Sequence, residues 1–409
     1  MTISEKLSAL TVTAAMLLAC SLAVSADEQK ADVPKNISQN TQSKSGSYVV
    51  SHKQTMTYEQ AVKRIPQRTL PEFWMVELEK IENYLSGLKT GKVHNLAKSA
   101  GGRNLYVVTY GGEEPTARFA NFNSAIGAHE PAVYCDRNLR KKPVILFIGP
   151  VHGAEVEGLV GLMNFINIME TGKDLRGKDY QNLKEMGKKC RLVIIPSGNP
   201  DGLARFKPKS LCGMGIEDLR FWGQGTWSDN TFCGWPQSKR QHPMKGSNCG
   251  FLGCYFNDDG VNVMHDEFFA PMASETTAIL GIARQEAPDM AVSLHSSEGV
   301  PEVWCPAYVP VEVKQDVQEL SEHYVNAIKL RNLPSKKIRM VEEKGKFPPS
   351  FNLVSALYHT SGAEAFVFEC PQGISGNGFV KFNMEDILEI QLALYQTIID
   401  YELHKKEQM

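Results

Sequence analysis

The sequence predicts an α/β fold: a mixed, largely parallel β-sheet sandwiched between helices. Three observations point there. Apolar runs of strand length alternate along the chain with segments of helical period, the pattern of β–α–β connections. One run, "KPVILFIGP" (142–150), is apolar without alternation, as a strand covered on both faces must be. Several of the runs stop at polar residues, and open α/β sheets gather their chemistry beyond the carboxyl ends of the strands.

Taken in order, the helical pattern begins at Tyr58. "LPEFWMVELEKIENYLSGL" (70–88) carries Leu70, Phe73, Trp74, Leu78, Ile81 and Leu85 at near-helical spacing, with Gly87 as a stop. "RNLYVVTYG" (103–111) reads as a strand, and the 142–150 strand follows. "EGLVGLMNFINIMETG" (157–172) reads as a helix, and "CRLVIIPSGNPDG" (190–202) as a buried strand ending in a turn. "ASETTAILGIARQEAP" (273–288) is a helix, "DMAVSLHSSEG" (289–299) and "AEAFVFECPQG" (363–373) are strands, and "EDILEIQLALYQTIIDYELHKK" (385–406) is the last helix. There is no internal repeat. The expected organisation is one domain over 58–409 with a Cys- and Trp-rich excursion at 206–256.

The first 26 residues read as a secretory signal. A short polar head with Lys6 precedes an apolar run from Leu7 to Val24, and "VSA" stands before Asp27. Two alternatives are an uncleaved membrane anchor and a lipoprotein site, "LLAC", with Cys20 acylated. Residues 27–57 are polar and read as a disordered linker. Nothing after residue 26 is long and apolar enough to span a bilayer. Export to a periplasmic or extracellular space changes the reading of the nine cysteines. Removing Cys20 leaves an even number, and an oxidising compartment favours disulfides among them. Cys212, Cys233, Cys249 and Cys254 fall in the excursion and suggest a stapled loop. A net charge of −2 carries no basic excess for nucleic acid.

Four strands end in polar groups: His152 with Glu155, Asn199 with Asp201, His295 with Ser296, and Glu369. In "GPVHGAEVEG" the spacing H-x-x-E lets His152 and Glu155 reach one point from a tight turn. Two imidazoles and a carboxylate with an open position make a catalytic zinc arrangement, and His295 could be the third ligand. The same residues also suit a polar strand end with a capping acid. Glu157 is expected to cap the following helix or face solvent.

The order of segments resembles the zinc carboxypeptidase family, the carboxypeptidase A-like metallopeptidases, over roughly residues 75–400. "GRNLYVVTYG", "PVILFIGPVHGAEVEG", "VIIPSGNPDG", "DDGVN…SETTAI", "MAVSLHSSEG" and "AFVFECPQG" follow one another as that family's motifs do. The resemblance implies one Zn²⁺ held by His152, Glu155 and His295, with Glu369 as general base. It also implies a mixed sheet between helices and a peptide or peptide-like substrate.

The likeness fails at the group that binds a free C-terminus. The family's Asn-Arg pair follows a "G-V-D-x" turn; this chain reads "GVNVMHDEF", with Met264 and His265 at those places. A gapless count from Glu369 puts Phe347 at the family's mobile Tyr. Methionine cannot bind a carboxylate, and histidine does so only when protonated. Arg205, Arg220 and His265 are therefore the candidate substrate-binding residues. The leading expectation is a zinc hydrolase that cuts an amide bond without requiring a free carboxylate. A true carboxypeptidase using Arg205, Arg220 or Lys346, and a peptide binder that no longer cuts, are the alternatives.

Overall fold

A computed structural model describes residues 54–341, 343–345 and 348–408. The signal segment, Cys20, the linker as far as residue 53, Lys346 and Phe347 lie outside the described residues. Among the described residues nine strands are formed: β1 Lys92–Lys98, β2 Asn104–Tyr110, β3 Val144–Ile148, β4 Arg191–Ile195, β5 Gly225–Trp227, β6 Cys249–Leu252, β7 Met290–Ser297, β8 Glu302–Trp304 and β9 Glu364–Pro371. Seven of them make one sheet in the order β1-β2-β4-β3-β7-β9-β8, and β5 pairs with β6 apart from it. β4, β3, β7 and β9 run parallel, while β1, β2 and β8 add antiparallel edges. This is the mixed, largely parallel sheet expected from the sequence.

Alternation along the strands sorts side chains to two faces. Ile145 and Phe147 of β3, with Val292 and Leu294 of β7, enter one apolar cluster with helices Glu157–Thr171, Val311–Lys329 and Met384–Gln408. Leu146 and Ile148, with Ala291 and Val367, enter a second cluster with helices Ser274–Glu286 and Leu353–Ser361. Every residue of β3 and β4 is buried, as runs without alternation require.

Two readings of the sequence need correction. The helix expected over 70–88 spans only Leu78–Ser86. Phe73, Trp74 and Val76 are buried without being helical. Tertiary bonds replace helical ones there: Asn164 Nδ2 donates to Phe73 O (2.9 Å) and the Trp74 indole donates to Lys209 O (2.9 Å). Residues 54–57 belong to the fold rather than to a linker, since Thr55 bridges Thr231 and Met56 is buried. Helices Val311–Lys329 and Leu353–Ser361 are absent from the sequence reading. No helix among the described residues is long and apolar enough to cross a membrane.

Phe147 of β3 lies edge-on to Phe165 (5.7 Å) and Tyr395 (5.2 Å), joining the sheet to two helices. Phe147→Ala is expected to cost about 3–5 kcal/mol. Denaturant unfolding that shows a loss below about 1 kcal/mol would mean that this face of the sheet repacks freely.

Candidate metal centre

β3 ends at Ile148, and four residues later His152 turns into Glu155, whose N–H donates to His152 O (2.9 Å). The turn lies tight against two other loops. Gly153 N–H donates to Cys254 O (2.7 Å), and a Cβ at 153 would stand 2.2 Å from the backbone of Gly202. Glycine is required there by space alone.

Glu155 bridges two imidazoles. Its Oε1 lies 3.0 Å from His152 Nδ1 and its Oε2 lies 2.8 Å from His295 Nδ1. The three side chains come from the β3 turn and from β7, and one donor atom from each lies within 4.8 Å of the others. All are nearly inaccessible, at 5%, 3% and 3% exposed for His152, Glu155 and His295. Burial opposes charge on Glu155, but the two histidines, by charge and by hydrogen bond, hold its carboxyl below the usual range. Burial lowers the pKa of His295.

The far ring nitrogens show which atoms face the centre. His152 Nε2 lies 3.2 Å from Asn262 Oδ1, an oxygen that also accepts from Met264 N–H (3.1 Å). An oxygen already accepting a backbone proton makes Nε2 the donor, so Nδ1 keeps its lone pair toward Glu155. His295 Nε2 lies 3.1 Å from Ser293 Oγ, which can accept in the same way. Both Nδ1 atoms face the carboxylate, and either a proton on each nitrogen or a metal ion in its place satisfies these contacts. Two imidazole nitrogens and one carboxylate form a set that fits Zn²⁺ with an open position. Orienting partners such as Asn262 and Ser293 are the usual supports of such ligands.

The expectations for other residues divide. Glu369 of β9 stands in register with His295 of β7, so both side chains leave the same face of neighbouring strands. Burial first, then the charges of Glu155, Glu298 and Glu302, push its pKa well above the usual carboxyl range. Glu157 neither caps nor faces solvent. It is fully buried, Ser296 Oγ lies 2.5 Å from its Oε2, and burial raises its pKa to about 8.

Arg205 is engaged elsewhere: its guanidinium pairs with Asp258 and donates to Phe256 O. Arg220 donates to Gln54 Oε1 (3.2 Å), and no hydrogen bond or ion pair joins it to the centre among the described residues. His265 does lie near the centre, with Nδ1 3.3 Å from Ser350 Oγ. Burial, then the nearby Lys239 and histidines, depress its pKa well below the ordinary value. The shift disfavours the charged form that would pair with a carboxylate. Met264 is buried in the second apolar cluster. All eight cysteines of the described residues are unpaired in the structure, and aromatic stacking and Arg205 tie the excursion down.

Four neighbours of the centre are missing from the sequence reading as site residues. Tyr255 stacks on His152 at 4.0 Å and 8°, Trp235 meets it edge-on at 6.3 Å, and Asn262 and Ser293 orient the rings. Ser293 was within reach of the strand rule, being two residues before His295 and so on its face. Tyr255 and Trp235 lie in an excursion without period, and nothing local marks them.

The sequence model of the family described as zinc carboxypeptidase matches residues 81–365. The chain belongs to the zinc carboxypeptidase family. Family membership brings zinc binding and points to metal-dependent hydrolysis of peptides. Among solved structures, the chain is similar to a metallo-carboxypeptidase from Burkholderia cenocepacia at 14% identity and TM-score 0.48, covering 79% of this chain and 68% of that one. Bovine thrombin-activatable fibrinolysis inhibitor, in complex with tick carboxypeptidase inhibitor, matches at 13% identity and TM-score 0.49, covering 83% and 100%. A metallo-carboxypeptidase from Pseudomonas aeruginosa matches at 12% identity and TM-score 0.43, covering 79% and 67%. No curated protein matches the sequence.

Asn262→Leu keeps the volume of the side chain and removes the acceptor of His152 Nε2–H. Zinc affinity, measured by competition with a chromogenic chelator, is expected to fall roughly 10- to 100-fold. An unchanged affinity would show that the imidazole is oriented without Asn262.

Proposed function

We propose that this member of the zinc carboxypeptidase family hydrolyses an amide bond in a peptide or peptide-like substrate, with His152, Glu155 and His295 as zinc ligands and Glu369 as general base. The observation that carries the reading is the shared register of His295 and Glu369. It sets a carboxylate beside a buried two-imidazole, one-carboxylate centre, on the same face of the sheet. Zinc, when bound, supplies Lewis acidity toward water and toward a carbonyl.

The protein's own groups account for the rest. Glu369 takes a proton from water as the water oxygen bonds to the amide carbon, and passes it to the nitrogen as the C–N bond breaks. Burial among acidic neighbours gives Glu369 a high proton affinity, which suits the acceptance step, and a divalent cation beside it acts in the opposite direction. Tyr255, stacked flat on His152, holds the plane of that ring and covers it from water. Trp235 meets Tyr255 edge-on at 6.2 Å and extends this aromatic wall toward the surface. Action in the periplasm or outside the cell is part of the same proposal and rests on the N-terminal sequence.

Glu369→Gln keeps shape and cannot take the proton. It is expected to retain stoichiometric zinc while kcat falls roughly 10²- to 10⁴-fold. Metal analysis and steady-state kinetics on blocked peptides read the two quantities separately. Loss of zinc in this variant would make Glu369 a ligand or a structural acid and refute its role as base.

A further inference from the structure

A cavity of about 270 Å³ lies beyond the carboxyl end of β4, the strand next to β3. Three separate parts of the chain wall it: the helix Leu78–Ser86, the β1–β2 hairpin, and residues 196–200. Leu78, Ile81 and Leu85 recur at the spacing of one helix face and line the space, and Pro196 and Pro200 add apolar surface from the loop. Each wall has an anchor of its own. Asp201 takes the Ser99 hydroxyl (2.5 Å), the Gly101 N–H (2.9 Å) and Arg103 Nη1 (2.8 Å), which ties the hairpin turn to the helix Pro200–Arg205. Ile81 and Leu85 belong to the first apolar cluster. The space between these walls is therefore preformed.

The polar groups around it are mostly spent. Glu82 Oε1 accepts from Asn104 Nδ2 (3.0 Å) and from the Tyr106 hydroxyl. Arg103 is held between Asp201 and Asp258. Lys98 is exposed, so water serves its ammonium. Ser197 differs from these: its Oγ is buried and has no hydrogen-bond partner among the described residues. A buried hydroxyl without a partner carries its full desolvation cost, and a polar group placed in the cavity removes it.

We propose that this cavity is a binding site for a small uncharged amphiphile, a compact aromatic or branched apolar body with one hydroxyl or amide that pairs with Ser197 Oγ. A dry cavity of about 150 Å³ already holds benzene, so the larger space here takes such a body together with its polar group. The charged groups at the rim are matched by protein partners or by water, which selects against an ionised ligand. The loop that lines the cavity also supports the metal turn. Gly198 N–H donates to Pro150 O (3.1 Å) and Asn199 Nδ2 donates to Val151 O (3.0 Å), the two residues before His152. Ser197 and Pro200 flank these donors, so an occupant that holds residues 196–200 also holds the start of the turn. Occupancy is thereby coupled to metal binding, a part of the proposal that rests on His152 as a zinc ligand.

The test uses the full-length protein with benzyl alcohol and toluene as probes, titrated by saturation-transfer NMR. Saturable one-site binding of both is expected. Ser197→Ala is expected to weaken benzyl alcohol roughly 3- to 10-fold and to leave toluene unchanged. Leu78→Trp fills the space from the helix and is expected to abolish binding of both probes. Ser197→Leu fills it from the loop and serves where the helix variant fails to fold. Absence of saturable binding in the parent, or binding that survives the filling variants, overturns the site. Benzyl alcohol affinity that Ser197→Ala leaves unchanged overturns the hydroxyl contact. Zinc affinity, read by chelator competition, is expected to rise roughly 5-fold or more in saturating benzyl alcohol, and zinc loading is expected to tighten benzyl alcohol by the same factor. Equal zinc affinity with and without the probe overturns the coupling and leaves the binding site standing.

Discussion

The parallel pairing of β3, β7 and β9 is the constraint on which the rest depends. Parallel strands end on the same edge of a sheet, and here three of those ends bring together the residues of the candidate centre. His152 and Glu155 follow β3, His295 lies near the end of β7, and Glu369 stands beside it on β9. Each strand is fixed by a ladder of backbone bonds and by apolar packing on both faces. The position of a charged side chain at the edge is therefore set by the most rigid part of the molecule. The short antiparallel β8 closes the sheet past β9 and brings Glu302 opposite Glu369, adding negative charge beside that buried acid.

That edge is costly to build. Removing one partner from a buried charge pair typically costs about 3–5 kcal/mol, because the other charge is left uncompensated. Glu155, at 3% exposed, escapes this cost through the two imidazoles on its two oxygens and the N–H of Ser296 at 3.3 Å. Glu157 meets burial differently: its carboxyl binds a proton more tightly and rests against the Ser296 hydroxyl. Two acids two residues apart are thus shifted in opposite directions. The imidazoles on both oxygens of Glu155 lower its pKa, whereas burial raises that of Glu157.

The sequence makes the core of this arrangement legible and its borders obscure, and the reason is physical. β3, β4, β7 and β9 are continuous apolar runs, and a buried strand has few other ways to be written, so their polar ends stand out. His152, Glu155, His295 and Glu369 are among the residues that this contrast marks, together with Asn199, Asp201 and Ser296, and the order of motifs separates the two groups. The segment 70–77 misleads because its apolar residues are buried singly by tertiary contacts while keeping a helix-like spacing. The excursion misleads in a different way. Four cysteines in one short excursion suggest staples, and the structure packs Cys233 with Met244, Tyr255, Phe256 and Cys249 in one apolar cluster. Arginines draw attention as carboxylate receptors, but Arg205 is used to clasp Asp258 and the backbone of Phe256. A residue type states what a group can do, and only the neighbours in space state whether it is free to do it.

The excursion and the sheet edge consequently answer to different constraints. His295 and Glu369 are positioned by strand pairing, and no residue between 206 and 256 bonds to either among the described residues. His152 is where the two parts meet, through the flat contact with Tyr255 and the bond from Gly153 N–H to Cys254 O. The excursion is anchored away from this contact as well, by the stack of Phe221 on Phe251 (4.6 Å, 10°) and by the packing of Tyr58 on Trp222. Such a loop can change what it presents to a substrate while the strand ends keep their geometry. A His265 of depressed pKa and a core-facing Met264 beside an intact two-histidine, one-glutamate centre are the outcome that this separation permits. The sheet edge fixes the candidate ligands, and the excursion shapes the surface around them through Tyr255 and Trp235.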